Sequence, residues 1–118
     1  MPHVVIEGQV NLEEFFRGLE SIQERDNEGI RKITDTYLNS KGTSMLLESV
    51  VVEGGSTQKF MIAVGSKGTG VTVRLLPLTD PEKTPGVKRL MADVARQVVK
   101  RFPGATFGKT NLREFLGE

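Results

Sequence analysis

Three stretches of this chain carry residue types that could do chemistry. The first is Gly104-Ala-Thr-Phe-Gly108-Lys109-Thr110, which ends in Gly-Lys-Thr as phosphate-gripping loops do. Such a loop needs four residues between its first glycine and the closing Gly-Lys-Ser/Thr, because its backbone N–H groups must point inward around the phosphates. Only Ala105, Thr106 and Phe107 stand there, and only eight residues follow Thr110. That leaves no room for a helix, a crossover strand and an acidic magnesium ligand, so an ATPase or GTPase is excluded. Gly104 and Gly108 are expected in turns and Lys109 on the surface. Gly65-Ser-Lys-Gly-Thr-Gly70 joins two strand-like runs instead of opening a helix, which makes it a hairpin loop.

The second is Pro2. Removal of Met1 would expose a secondary amine at the start of a strand-like run. A free α-amino group has a pKa of about 7.7–8, and burial or a nearby cation lowers it. Such an amine can serve as a general base near neutrality. The competing reading is an inert proline at a chain start.

The third is the polar face of the stretch 86–102, with Lys88, Arg89, Arg96, Lys100 and Arg101 against Asp93. It offers a phosphate-backbone contact surface, or simply a solvated helix with cations where its dipole favours them. No aromatic residues alternate with these cations to stack on bases, which argues against nucleic acid. Glu13, Glu14 and Glu82 have no spacing that forces two carboxylates together. His3 is the only histidine and cysteine is absent. A zinc site, a thiol nucleophile and a serine hydrolase are therefore disfavoured, and no metal or cofactor is expected. The lack of cysteine suits a reducing cytoplasm.

The elements that must position these residues follow from periodicity. His3 to Ile6 form a short β-branched strand ended by Gly8. Asn11 and Glu14 make a capping-box pattern, and Leu12, Phe15, Phe16, Leu19 and Ile22 fall on one helical face running on to Asp26. Between 30 and 38, Ile30, Ile33, Tyr37 and Leu38 suit a second helix, whereas Thr34, Thr36 and Tyr37 are strand formers; the helix is the preferred reading. Strands are expected over 45–52, placed centrally because both faces are apolar, and over 60–64 and 71–76. Val87, Leu90, Met91, Val94, Ala95, Val98 and Phe102 define a long amphipathic helix with Pro85 in its first turn. Asn111 is expected to cap a last short turn.

At 118 residues, 37% hydrophobic and 26% charged, the chain fits one domain, 1–118, of the globular class. No apolar run approaches membrane-spanning length. Net charge is +1, but residues 1–58 carry 5 Lys/Arg against 10 Asp/Glu and residues 59–118 carry 11 against 5. That asymmetry can orient self-association or draw a small anion to one end. The fold class expected is α+β: a mostly antiparallel sheet of about four strands with helices packed on one face, in two layers.

Met1-Pro-His-Val-Val-Ile-Glu7 resembles the opening of the tautomerase superfamily, of the 5-carboxymethyl-2-hydroxymuconate isomerase type, and Phe107-Gly-Lys-Thr-Asn-Leu-Arg-Glu-Phe115 is similar to its closing segment. Val71 to Phe102 fits that family's strand, loop and amphipathic helix. The resemblance implies a β-α-β fold, trimeric assembly, no cofactor and keto–enol isomerisation of a small 2-oxo or dicarboxylic acid. It implies Pro2 as the base. It also implies arginines that hold the substrate carboxylates; no local motif assigns them, and Arg17 and Arg74 are the candidates. The alternative is a non-catalytic interaction or assembly domain, a dimer or trimer, whose contact surface is the sheet or the basic helix 86–102. RNA binding ranks below both, because the strands lack exposed paired aromatics.

Overall fold

The computed structural model describes residues 1–117. Its elements are β1 (His3–Glu7), α1 (Leu12–Gly18), β2 (Gln23–Asp26), β3 (Gly29–Leu38), β4 (Ser44–Glu53), β5 (Ser56–Lys67), β6 (Gly70–Leu75), a 3-10 turn (Pro77–Thr79), α2 (Pro85–Arg101), β7 (Thr106–Thr110) and α3 (Arg113–Leu116). The strands form one sheet in the order β2-β3-β4-β5-β6-β1-β7, and every pairing is antiparallel.

This corrects the fold expected from sequence. The sheet has seven strands, not about four, and it curls as a half-barrel instead of forming a two-layer sheet with helices on one face. The β-α-β arrangement implied by the resemblance requires parallel neighbours, and none occurs among the described residues. Three further corrections follow. The stretch 29–38 is strand β3, not a helix. The first helix stops at Gly18; Leu19 is already extended at ψ 121°, so Ile22 enters the core from outside the helix. Gly108 lies within strand β7, not in a turn, which supplies the pairing partner for β1.

The core sits in the hollow of the sheet. Strand alternation sends Met45, Leu47 and Val51 of β4, Ile62 and Val64 of β5, Val71 and Val73 of β6, and Val4 and Ile6 of β1 inward, all at most 1% exposed. Helix α2 fills the hollow with Val87, Leu90, Met91, Val94, Ala95 and Val98, all fully buried, and it touches β1, β3, β4 and β6. Asn11 caps α1 as expected, its Oδ1 accepting from the Glu14 amide at 3.0 Å. Asn111 does not cap α3. It instead ties the two chain ends together, accepting from the His3 amide at 2.9 Å and donating to the Met1 carbonyl at 2.7 Å.

The start of α2 is anchored by a residue that periodicity does not single out. Glu53, at the end of β4, accepts from the Gly86 amide at 2.9 Å and from the Thr84 hydroxyl, while Thr84 Oγ1 accepts from the Val87 amide at 3.3 Å. A carboxylate therefore satisfies the free N–H groups and the positive end of the helix dipole. Position 86 must be glycine, because a Cβ there would lie 2.6 Å from the Glu53 carboxyl carbon and 2.7 Å from a Val51 methyl.

Candidate functional site

Register assigns every strand residue to the hollow or to the outer face. His3 of β1 lies opposite Arg74 of β6, which lies opposite Ala63 of β5, Leu46 of β4 and Tyr37 of β3. Cross-strand partners share a face, so Arg74 belongs to the outer face. Pro2 is buried and shares its parity with Val4 and Ile6, which point into the hollow. Pro2 and Arg74 thus lie at the same end of β1, Pro2 just before the strand and Arg74 across from His3. Arg17 lies on α1, beyond the other end of β1, exposed and paired with Glu13 at 2.8 Å. The structure does not bring these three candidates together. Met1 is 72% exposed, and its carbonyl is held by Asn111 and by the His3 ring at 3.0 Å.

The basic face of α2 is largely neutralised from within. Arg89 pairs with Glu28, Arg96 pairs with Asp93 and bonds the Phe115 carbonyl, and Arg101 pairs with Glu14 at 3.1 Å. Only Lys88 and Lys100 of the five cations lack a carboxylate partner among the described residues.

Two features were not legible in local sequence. One is a charge cluster between β2, β3 and α2. The Arg31 side chain is only 7% exposed, and its Nη2 donates to Glu24 at 2.9 Å and Asp26 at 3.2 Å. Burial alone would lower its pKa, but hydrogen bonds and charge from Asp26 and Glu24 outweigh that and raise it. Arg31 Nε and Asp93 Oδ2 are buried with no hydrogen-bond partner among the described residues. Burial pushes the Asp93 carboxyl up and Glu24 adds to the effect, against the pull of Arg96 and Arg31. Folded protein therefore holds this proton more tightly than unfolded chain. The stabilisation is present at low pH and is lost as pH rises through the raised folded value. Asp93→Asn is expected to flatten the fall in Tm as pH rises above the ordinary aspartate range, about pH 4, while keeping the oxygen that accepts from Arg96. Equal slopes in the two proteins would show that Asp93 does not drive it.

The other feature is a trough of about 590 Å³ along the sheet, lined by Lys32, Thr34, Glu48, Val50, Met61 and Thr79 among others. The register places Lys32, Val50 and Lys59 in one outer row across β3, β4 and β5, and Asp35, Glu48 and Met61 in the next. Between these rows a bulge at Thr34 lets its hydroxyl donate to Glu48 Oε1 at 2.7 Å. Tyr37 donates weakly to Asp35 and Glu48, at 3.4 and 3.3 Å, and the charges of Asp35 and then Glu48 raise its pKa, so the phenol stays protonated. The exposed large hydrophobic residues are Met1, Tyr37 at 45% and Leu78 at 93%; Tyr37 bonds Glu48 and Leu78 precedes Thr79 in the chain, and Glu48 and Thr79 both line the trough. No group of three or more acidic or imidazole side chains could hold a metal ion among the described residues. Nor, among the described residues, is any helix long and apolar enough to cross a membrane.

The fold and face together define an antiparallel half-barrel gripping one long helix, with its outer surface uncovered. No protein-family model matches the chain, and neither the curated proteins nor the solved structures give a match to it.

Proposed function

We propose that this chain is a non-catalytic interaction domain that meets its partner through the outer face of the sheet. The observation that carries this reading is the open trough around Val50, Phe60 and Met61, together with the exposure of Tyr37, which bonds the trough residue Glu48, and of Leu78, which precedes the trough residue Thr79. The sheet is favoured over the basic helix because three of the helix's five cations are already paired. A photo-crosslinking residue at Val50 should capture a discrete partner in cells, whereas one at Lys100 on α2 should not. Absence of a discrete product at Val50 would sink this reading.

A second reading keeps the enzymatic expectation: an isomerase of a small 2-oxo or dicarboxylic acid with Pro2 as base. It is favoured by one observation, that Pro2 is buried while Met1 is exposed to removal. It requires the amine freed from Met1. Protein trimmed of Met1 should then exchange the α-protons of enolisable 2-oxo acids, and Pro2→Ala should stop it. Exchange that survives in folded Pro2→Ala protein would exclude the role.

A further inference from the structure

Half of strand β3 has an uncovered edge. β2 pairs with β3 only from Gly29 to Lys32, while β3 runs on to Leu38. Among the described residues, no strand pairs with 34–38 on that side. Backbone bonds give the direction of each group. The Ile33 amide donates to the Ile22 carbonyl at 3.0 Å, on the β2 side. The Asn39 amide donates to the Ser44 carbonyl at 2.9 Å, on the β4 side. Alternation back from Asn39 turns the amides and carbonyls of Leu38 and Thr36 away from β4, toward the uncovered edge. There the Thr36 amide is met by Asp35 Oδ1 at 2.8 Å, a side chain standing where a neighbouring strand's carbonyl would be.

A cavity adjoins this edge. Before Ile22 the chain splays from β3, and Gln97 of α2 holds it there, bonding the amide and the carbonyl of Glu20 at 3.0 Å each. The space between is about 250 Å³, with Phe16, Leu19, Ile22 and Ile33 in its wall. Thr36 and Leu38 face the hollow of the sheet, and Asp35 and Tyr37 face outward. Cross-strand partners share a face. A strand added here therefore sends alternate side chains toward the apolar cavity and the others outward, beside Asp35 and Glu48. Neither carboxylate has a cation partner among the described residues: Asp35 accepts from the Thr36 amide, Glu48 from the Thr34 hydroxyl, and both from Tyr37. Lys32 stands in the next outer row and Lys41 beyond the end of β3. The raised pKa of Tyr37, caused first by Asp35 and then by Glu48, reports the negative field between them.

Going beyond the outer-face reading, we propose that residues 34–38 of β3 are a strand-addition site for an extended basic peptide in which apolar and cationic side chains alternate. Unpaired main-chain groups in strand geometry are matched by another extended main chain, and the alternate pockets select its side chains. The peptide's carbonyl replaces Asp35 Oδ1 on the Thr36 amide and frees that carboxylate for a peptide cation. A second copy is disfavoured as occupant, because pairing β3 with itself sets the Asp35 and Glu48 charges of the two copies near one another.

Titration of the isotope-labelled full chain with a capped Lys-Val-Lys-Val-Lys peptide, followed by NMR, tests the proposal. The Thr36 and Leu38 amide resonances should shift saturably, and their hydrogen exchange should slow. Methylating the two valine nitrogens removes the donors opposite Thr36 and Leu38 and should weaken binding about tenfold or more. Glu-Val-Glu-Val-Glu should leave both resonances in place. Asp35→Lys, at an exposed position, should weaken binding with the rest of the spectrum unchanged. L38P removes an N–H that faces the edge and spares the bonds to β4, so it should also weaken binding. No shift at Thr36 and Leu38, equal binding by the methylated peptide, or binding indifferent to Asp35→Lys each overturns the proposal. If the same resonances move with protein concentration alone, the occupant is a second copy and the basic peptide is overturned. The outer-face reading is decided separately by the cross-link at Val50, so either can fail without the other.

Discussion

Replacing Gly70 with alanine is expected to destabilise the fold by about 3 kcal/mol or more. A Cβ at that position would lie 2.0 Å from the Ile6 carbonyl oxygen and 3.1 Å from its carbon. Both atoms are backbone, so no side chain can swing away to make room. Relief requires β1 to move off β6, which opens the sheet where β1 joins it to β7. Against a total stability of about 5–15 kcal/mol for a domain, that is a large fraction. Gly65→Ala is the matched control: it also lies in the β5–β6 hairpin region, but a Cβ there meets nothing within 4 Å. Urea unfolding should separate the two variants clearly. Similar midpoints would mean that the close approach of β1 and Gly70 is wrong.

The second large effect is an asymmetry around Arg31. Neutralising its partners with E24Q/D26N leaves a guanidinium that is 7% exposed without its two bonded carboxylates. An uncompensated buried charge costs about 3–5 kcal/mol. Arg31→Met removes the charge itself, keeps much of the apolar stem, and releases two carboxylates that are already half-exposed. It should cost less than the double variant although it deletes the shared centre of both ion pairs. The same urea experiment decides this, and the reverse order would show that Arg31 is effectively solvated.

Why β3 resembles a helix in sequence can now be explained. The bulge between Ile33 and Asp35 shifts the alternation, so Arg31 and Ile33 face the hollow before it and Thr36 and Leu38 after it. Ile30 and Tyr37 face outward. The mixture of two faces and one slip produces the three- and four-residue spacing that mimics a helical stripe. A charged residue also takes an inward position at Arg31, which removes the alternation expected of a strand. By contrast β4, β6, α2 and the middle of β5 were legible, because each is an uninterrupted apolar run or stripe bounded by turn residues. β7 was missed because Thr106 to Thr110 includes one large apolar residue, Phe107, and owes its extended form to pairing with β1. The trough was not legible at all. Lys32, Val50 and Lys59 become neighbours only through strand register, and the exposure of Leu78 is a property of the folded turn. Glu53 at the start of α2 has the same cause: its partner amide is 33 residues away.

Strand β2 bounds the sheet with only Gln23, Glu24, Arg25 and Asp26, all exposed. So short and charged a border offers incoming chains no template for adding strands. Concentrated solutions of this protein should therefore resist fibril growth from that strand, which leaves β7 as the sheet's other border for strand addition.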